Sequence, residues 1–534
     1  MSVPQTTIWI CSGVPLNSRY DHTIYFPSVD EQFSYFSGKV VKSLSAYSYV
    51  RKSWELKVEG TMEQARRWNY LFFRNTETGK VWYYFINNIE YLGENSVKLF
   101  LELDVMQSYL REYTLLPCFV EREHTETDAV GEHTVLENLE MGDYTIQGEN
   151  DVLMLYANMC VVIQATKRPG SLNISFGGSL DDVYSGLGVY AVERKHWGQL
   201  TELLGLMSGE EWGDIDAIVN MWMYPQELIK LKDGQSWGDE TVVKDVRGVE
   251  TYTCSFSKNV AVLDASSGNP YEPRNKKLLC YPYSFMYVTN NSGGSAVYKY
   301  ERFSGEKATF HVEGTVSPDA SVNLVPENYN GVEHNYDESL GMGGFPTCAW
   351  NADMYKIWLA QNQNTHNLAM SQAKIAMVGS AIGGIASLGM GNVAGALGAG
   401  LGIYHSYNQI QNLMVAKMDK AVEPPQARGT HSASVNYAND AHTYFIYNKC
   451  INREHAEMLD SYFDMFGYQI NAVKIPNTHS RPYYNFVKTQ GCHIKTNICN
   501  EDAKQIEGIF DKGITFWKDG DKVGNYEYAK QNAV

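Results

Sequence analysis

Between Ile375 and Ala416 the sequence carries no Asp, Glu, Lys or Arg, and Gly and Ala dilute its large apolar side chains throughout. An uncharged apolar run of this length must be covered by protein or by lipid. Its larger residues are Ile375, Met377, Val378, Ile382, Ile385, Leu388, Met390, Val393, Leu397, Leu401, Ile403 and Tyr404. Glycines recur at four-residue spacing in Gly379 and Gly383, Gly391 and Gly395, and Gly398 and Gly402. In lipid, that spacing lets helix backbones approach closely. A bilayer core of about 30 Å is crossed by about 20 apolar residues, so the run suffices for two crossings, or for one crossing and a tip. Each large aliphatic contributes only about −0.3 to −0.6 kcal/mol at a helix centre, and the polar and glycine positions offset much of it. A single copy therefore inserts marginally, whereas several copies held in one ring act at high effective concentration. The residues alone leave a second reading open, a helical hairpin buried in a soluble assembly.

The flanks predict helices. Met354, Ile357, Trp358, Leu368, Ala369 and Gln372 open one arm; Tyr407, Ile410, Leu413, Met414 and Met418 form the return arm, stopped by Pro424-Pro425. The expectation is a long αα-hairpin over residues 346–425.

The rest of the chain reads as mainly β with an α+β insertion. Aromatic residues make up 13% of the sequence, with 37 tyrosines, which favours strands. Ile8 to Cys11, Lys39 to Val50 and Trp54 to Glu59 read as strands, and Val81–Leu92, Gly93-Glu94-Asn95 and Val97–Val105 as a hairpin. Thr61 and Gln64 make a capping-box signal for a short helix carrying Ala65, Trp68 and Phe72 on one face. In residues 126–345, taken as an inserted domain, Val152 to Thr166 reads as a buried strand or strand pair. Trp197–Met207 and Ile215–Trp222 read as helices, and short strands return from Val242 to Val316. Past Pro425, Glu454–Phe466 reads as a helix with Met458, Leu459, Tyr462, Phe463 and Phe466 as its apolar stripe, ended by Gly467. A second helix carries Ala503, Ile506, Ile509 and Phe510 between Asn500 and Gly513. Residues 1–125 and 426–534 are taken as the two parts of one domain.

Chemistry finds no focus. The net charge of −17 argues against tight binding of nucleic acid, whose phosphates need a basic surface. Nine cysteines, an odd number without CxxC pairing, read as reduced thiols of a chain folded in a cytosol. The polar stretch Met1 to Thr7 reads as carrying no secretion signal. His124, Glu126 and His133 imitate a metal cluster but lack helical ligand spacing, and Glu210 and Glu211 read as a solvated helix start. No nucleophile elbow, phosphate loop or zinc-protease pattern occurs. The expectation is no catalytic residue, no cofactor and no metal.

Both chain ends carry runs that form a recognisable set. They are Cys11–Leu16, Asn69–Leu71, Ile89–Tyr91, Asp104–Tyr109 and Phe119–His124, then Phe466–Tyr468, Pro476-Asn477, Arg481–Thr489 and Gly513–Trp517. In order and position this set resembles the tail knob (distal tail tube) proteins of phi-29-type short-tailed phages. The resemblance implies a homo-oligomer, a hexameric tube, with a β-barrel tube domain made from both chain ends. It implies other tail proteins as partners, a virion location at the far end of the tail, and assembly in the host cytoplasm. It further implies that Ile375 to Tyr404 plug the lumen, then enter the host cell membrane as a channel for viral DNA, which passes without specific binding. This run is shorter and richer in glycine than an ordinary transmembrane pair. Rival readings are a purely structural tail subunit with a buried hairpin, a pore-forming toxin, and a tail-tip cell-wall hydrolase.

Overall fold

The computed structural model describes residues 6–45, 47–50, 54–152, 158–165, 179–180, 183–184, 188–199, 218–232, 243–258, 261–265, 268–317, 320–345, 347–349, 428–429 and 442–533. The fold is mostly β, and the chain divides into two compact units. One comprises Met1–Tyr144, Ala261–Tyr283 and Ile451–Val534; the other comprises Thr145–Val260 and Ser284–Cys450.

The first unit holds a seven-stranded sheet in the order Val40–Leu44, Ile8–Ser12, Trp68–Arg74, Val81–Gly93, Ser96–Leu103, Glu55–Glu59 and Ser48–Val50. The hairpin read from the sequence is its spine, with Glu90 opposite Lys98 and Tyr91 opposite Val97. The capping box of Thr61 and Gln64 forms, but the helix spans only Met62–Ala65. Trp68 and Phe72 lie instead on the next strand, Trp68–Arg74. The run Trp-Asn-Tyr-Leu-Phe-Phe buries rings on both faces of a central strand, which outweighs a helical continuation. The helix Val29–Gly38, capped by Ser28, was not anticipated. It packs Phe36 flat on Tyr70, with ring centroids 5.1 Å apart.

A five-stranded sheet of the same unit draws on both chain ends, in the order His22–Ile24, Ile514–Trp517, Tyr484–Gln490, Cys118–Glu123 and Tyr468–Lys474. The helices Arg453–Phe466 and Asn500–Lys512 form as the periodicity predicts, ending at the positive-φ residues Gly467 and Gly513. The cap before Asn500 is Cys499 rather than Asn500 itself.

In the second unit, a seven-stranded sheet runs Ile229–Lys232, Val243–Val249, Gly188–Glu193, Met159–Ala165, Ile218–Pro225, Thr347–Ala349 and Arg428–Gly429. Two four-stranded sheets accompany it. One is Tyr144–Val152, Tyr444–Ile451, Ser284–Thr289 and Ser295–Tyr298; the other is Tyr252–Ser257, Lys307–Gly314, Val322–Pro326 and Leu340–Met342. A single apolar core joins them, including Val161, Ile163, Trp222, Met286, Val288, Phe310 and Tyr444.

The predicted helix Ile215–Trp222 is a correction: Ile218–Pro225 is a strand. Met221, Trp222, Met223 and Tyr224 are all buried, so successive side chains fill both faces of a central strand, a pattern whose continuous apolar run imitates a helix. Arg194–Gln199 forms a 3-10 helix, and the remainder of the predicted helix from Trp197 to Met207 lies outside the described residues.

Candidate functional site at the base of the apolar segment

All of the run from Ile375 to Tyr404 lies outside the described residues, as do its predicted helical arms. The structure describes where the chain leaves for that segment and where it returns. Thr347–Ala349 adds to the strand Ile218–Pro225 through the pairs Asn220–Ala349, Met221–Cys348 and Trp222–Thr347. Arg428–Gly429 then pairs with it, Cys348 opposite Gly429 and Ala349 opposite Arg428. Departure and return are thus neighbouring antiparallel strands at one sheet edge, spaced about 5 Å as any ladder is. The sheet that carries them is anchored by Trp222 and Tyr224 in its core. These strands of three and two residues are too short for any sequence pattern to announce.

The charged residues singled out in the sequence do not converge. His124 is buried, with its ring nitrogens on the Phe486 amide and the Asp464 carbonyl. His133 bonds the Thr127 carbonyl at 2.8 Å and lies against Tyr468, while Glu126 is exposed. His124 is therefore neither ligand nor surface residue but a satisfied core histidine. Among the described residues no three His, Cys, Asp or Glu side chains gather into a metal-sized cluster. Glu210 and Glu211 lie outside the described residues.

Sequence reasoning missed a web of buried charge in the first unit. Glu137, almost fully enclosed, receives both Arg122 and Lys277, and its Oε1 accepts the Gln469 amide at 3.1 Å. Asp460, wholly buried, accepts from the amides of Arg274 and Asn275 at 2.8 and 2.9 Å and from the Tyr271 hydroxyl at 2.6 Å. Asp464 holds the Arg274 guanidinium, and burial raises its carboxyl above the usual range against the pull of that cation. Tyr468 donates to Asp128 at 2.7 Å. Glu123 binds Lys474 and the Asn477 amide. Every one of these carboxylates is held by donors from distant parts of the chain. Donor pairing of this kind suits rigidity, although one buried oxygen of the web, Asp128 Oδ1, has no hydrogen-bond partner in the structure.

Comparisons with known proteins close the question of family. The family model described as "Bacillus phage phi29, Tail knob protein gp9, C-terminal domain" matches residues 248–532, more than half of the chain. The chain belongs to the tail knob family. Within it, the tail knob protein gp9 of Bacillus phage B103 is 24% identical and that of Bacillus phage phi29 is 23% identical, each alignment covering 98% of both chains. Residues 4–114 also match the Caudoviral major tail protein N-terminus. The solved tail knob protein gp12 of bacteriophage C1 superposes with a TM-score of 0.66 at 17% identity, over 98% of this chain and 99% of that one, a likeness of fold. As a tail knob protein the chain is a structural component of the virion tail that assembles with other tail proteins. The relatives are structural proteins, and none of these matches is to a catalytic family.

Proposed function

We propose that this tail knob protein forms the distal tube of the tail as a hexameric ring and that its apolar segment opens the host membrane for genome ejection. In this reading, residues 1–125 and 426–534 make the tube domain, 126–345 the inserted knob domain, and 346–425 a helical hairpin. Ile375 to Tyr404 would plug the lumen before infection and enter lipid after it, with DNA passing through unbound.

One observation carries the reading: the segment's two feet, Thr347–Ala349 and Arg428–Gly429, are paired side by side on the edge of an anchored sheet. An uncharged run tethered at both ends to one rigid point can swing out as a unit while its ring stays assembled. Repetition of that tether around a ring supplies the effective concentration that marginal insertion needs. Among the described residues no helix is long and apolar enough to cross a membrane.

The test is dye release from liposomes by the assembled protein. Deleting residues 375–403 should leave the oligomer intact and abolish leakage. Leakage undiminished by that deletion would overturn the reading, and a ring that never touches lipid would favour a purely structural subunit.

A further inference from the structure

Two cysteines from opposite ends of the chain meet in the first unit. The strand Cys118–Glu123 lies antiparallel to Tyr484–Gln490, with Phe119 opposite Gln490. The pairing continues beyond the strand ends: the Leu116 amide donates to the His493 carbonyl at 3.0 Å, and Leu115 stands opposite Ile494. This unbroken register sets Cys118 across from Gly491 and one position from Cys492. Across an antiparallel ladder, Cα atoms offset by one position are about 6 Å apart, inside the range that a disulfide spans.

Strict alternation would send two side chains so offset to opposite faces. Gly491 breaks the alternation with a φ of 64°, and both cysteines lie buried in the same apolar core, together with Val487, Ile506 and Phe510. One carboxylate fixes that turn. Asp511 accepts the Gly491 amide at 3.2 Å, the Cys492 amide at 3.0 Å and the Thr489 hydroxyl at 2.8 Å. Both cysteines are free thiols. Burial raises the two of them, Cys492 to about 12, and the neighbouring Cys118 adds to that rise.

We propose that Cys118 and Cys492 are a latent disulfide, closed by peroxide once the virion tail is in oxidising surroundings, which ties together two strands more than 350 residues apart in the chain. The Cys118 sulfur, 6% exposed against 2% for Cys492, attacks one peroxide oxygen. The O–O bond breaks, water leaves, and Cys118 becomes a sulfenic acid. The Cys492 sulfur then attacks the Cys118 sulfur: the S–S bond forms, the S–O bond breaks, and a second water leaves. In sum the two thiols give up two electrons and two protons, and the peroxide is reduced to two waters. Enclosed thiols that stay protonated react slowly. The pair therefore remains open in a reducing cytosol and closes only on long exposure outside it. The inference is independent of the membrane reading, since neither cysteine belongs to the apolar segment.

The experiment incubates the full chain, reduced and folded, with hydrogen peroxide, alkylates the remaining thiols after denaturation, and maps the peptides by mass spectrometry. A Cys118–Cys492 cross-link is expected, lighter than the two peptides by two hydrogens and lost on adding dithiothreitol. It should be absent from Cys118→Ala and from Cys492→Ala, while the exposed Cys499 oxidises in both as in the parent. The cross-linked parent should melt roughly 5 °C above its reduced form, because the bond closes a very long loop in the unfolded chain. Peroxide should give neither variant that gain. Should an alanine variant fail to fold by circular dichroism, the parent decides the matter through its cross-linked peptide and the reversal of its melting shift by dithiothreitol. Recovery of Cys118 and Cys492 as free thiols once Cys499 is oxidised overturns the proposal. So does pairing of either with a different cysteine, or a melting temperature that is the same with the bond and without it.

Discussion

The Nδ1 atom of His124 accepts the backbone N–H of Phe486 at 2.7 Å, while its Nε2 bonds the Asp464 carbonyl at 3.0 Å. Both ring nitrogens are thus committed to main chain more than 300 residues away, and the geometry assigns the proton to Nε2. Burial, followed by the Arg481 charge, pulls the imidazole down to about 3. Its folded value lies below the ordinary one, so the neutral form stabilises the fold, and that stability is lost as pH falls from about 6.5 towards 3. By pH 5 the loss from this residue is about 2 kcal/mol. His124→Gln should lower stability at pH 7 yet flatten the acid side of the profile. Urea unfolding from pH 7 to pH 4 checks it, and parallel profiles for the two proteins would refute the assignment.

Asp104 works in the opposite direction. Its carboxylate caps the short helix Val105–Ser108, accepts the Gln107 amide at 3.0 Å and the Tyr70 hydroxyl at 2.7 Å, and is almost fully buried. Burial dominates and pushes it up to about 7. A raised carboxyl favours the protonated fold, so its penalty is absent below about pH 4 and complete above pH 7. Asp104→Asn keeps an acceptor for Gln107 and removes the charge. Stability should rise at pH 8 by on the order of 2 kcal/mol and be nearly unchanged at pH 4, again by urea unfolding.

Glu137 is the hinge of the buried web, because one carboxylate serves two cations. Truncating it strands Arg122 and Lys277 without their counter-charge. Glu137→Ala should cost about 3–5 kcal/mol, the usual penalty for breaking a buried ion pair. Lys277→Met should cost much less, since Arg122 still neutralises Glu137 and the methionine fills a site lined by Phe463 and Tyr468. Thermal melts of the two variants would test that order, and a reversed ranking would show Lys277 to be the essential partner.

How far these features could be read beforehand depended on how local their causes are. The hairpin Val81–Gly93 with Ser96–Leu103 and the helices Arg453–Phe466 and Asn500–Lys512 follow from alternation, helical periodicity and a terminal glycine, all local in the chain. The strand Ile218–Pro225 misled because a strand buried on both faces loses its alternation. In the helix Arg453–Phe466 the apolar stripe holds at Leu459 and Phe463, which are buried, but Met458 is exposed, while Asp460 and Asp464 face inward. Nothing near those aspartates foretells it, since their partners Arg274 and Asn275 lie about 190 residues away. The apolar segment was the easiest feature to find, because absence of charge is a local property; its paired feet depend on a strand more than 100 residues earlier.

Gly467 offers a sharp test of packing at the end of that helix. Its φ of 64° is a conformation glycine accepts readily, and a Cβ there would stand 2.2 Å from the Glu123 carbonyl oxygen. The close approach lets the strand Cys118–Glu123 lie against Tyr468–Lys474, with Glu123 opposite Tyr468. Gly467→Ala combines an unfavourable backbone with a collision against main chain that cannot rotate away. A loss of about 2–4 kcal/mol is expected in chemical denaturation. A loss below about 1 kcal/mol would mean that the two strands can separate at little cost.

The membrane reading makes its own quantitative demand on two residues. Ten or so large aliphatics at about −0.3 to −0.6 kcal/mol each, offset by serine, asparagine and glycine, leave a margin of only a few kcal/mol per copy. An aspartate near the centre of an inserted helix costs about 2.5–3.5 kcal/mol, so Ile382→Asp with Ile385→Asp should erase the margin outright. The deletion shortens the segment; this pair of substitutions keeps its length. Ring assembly, measured by sedimentation, should persist while liposome leakage disappears. Ile382→Leu with Ile385→Leu should leak like the parent, since both retain the apolar contribution. If the aspartate pair leaks as strongly as the leucine pair, the segment does not act through burial in lipid, because no arrangement of one helix hides two added charges at so small a margin.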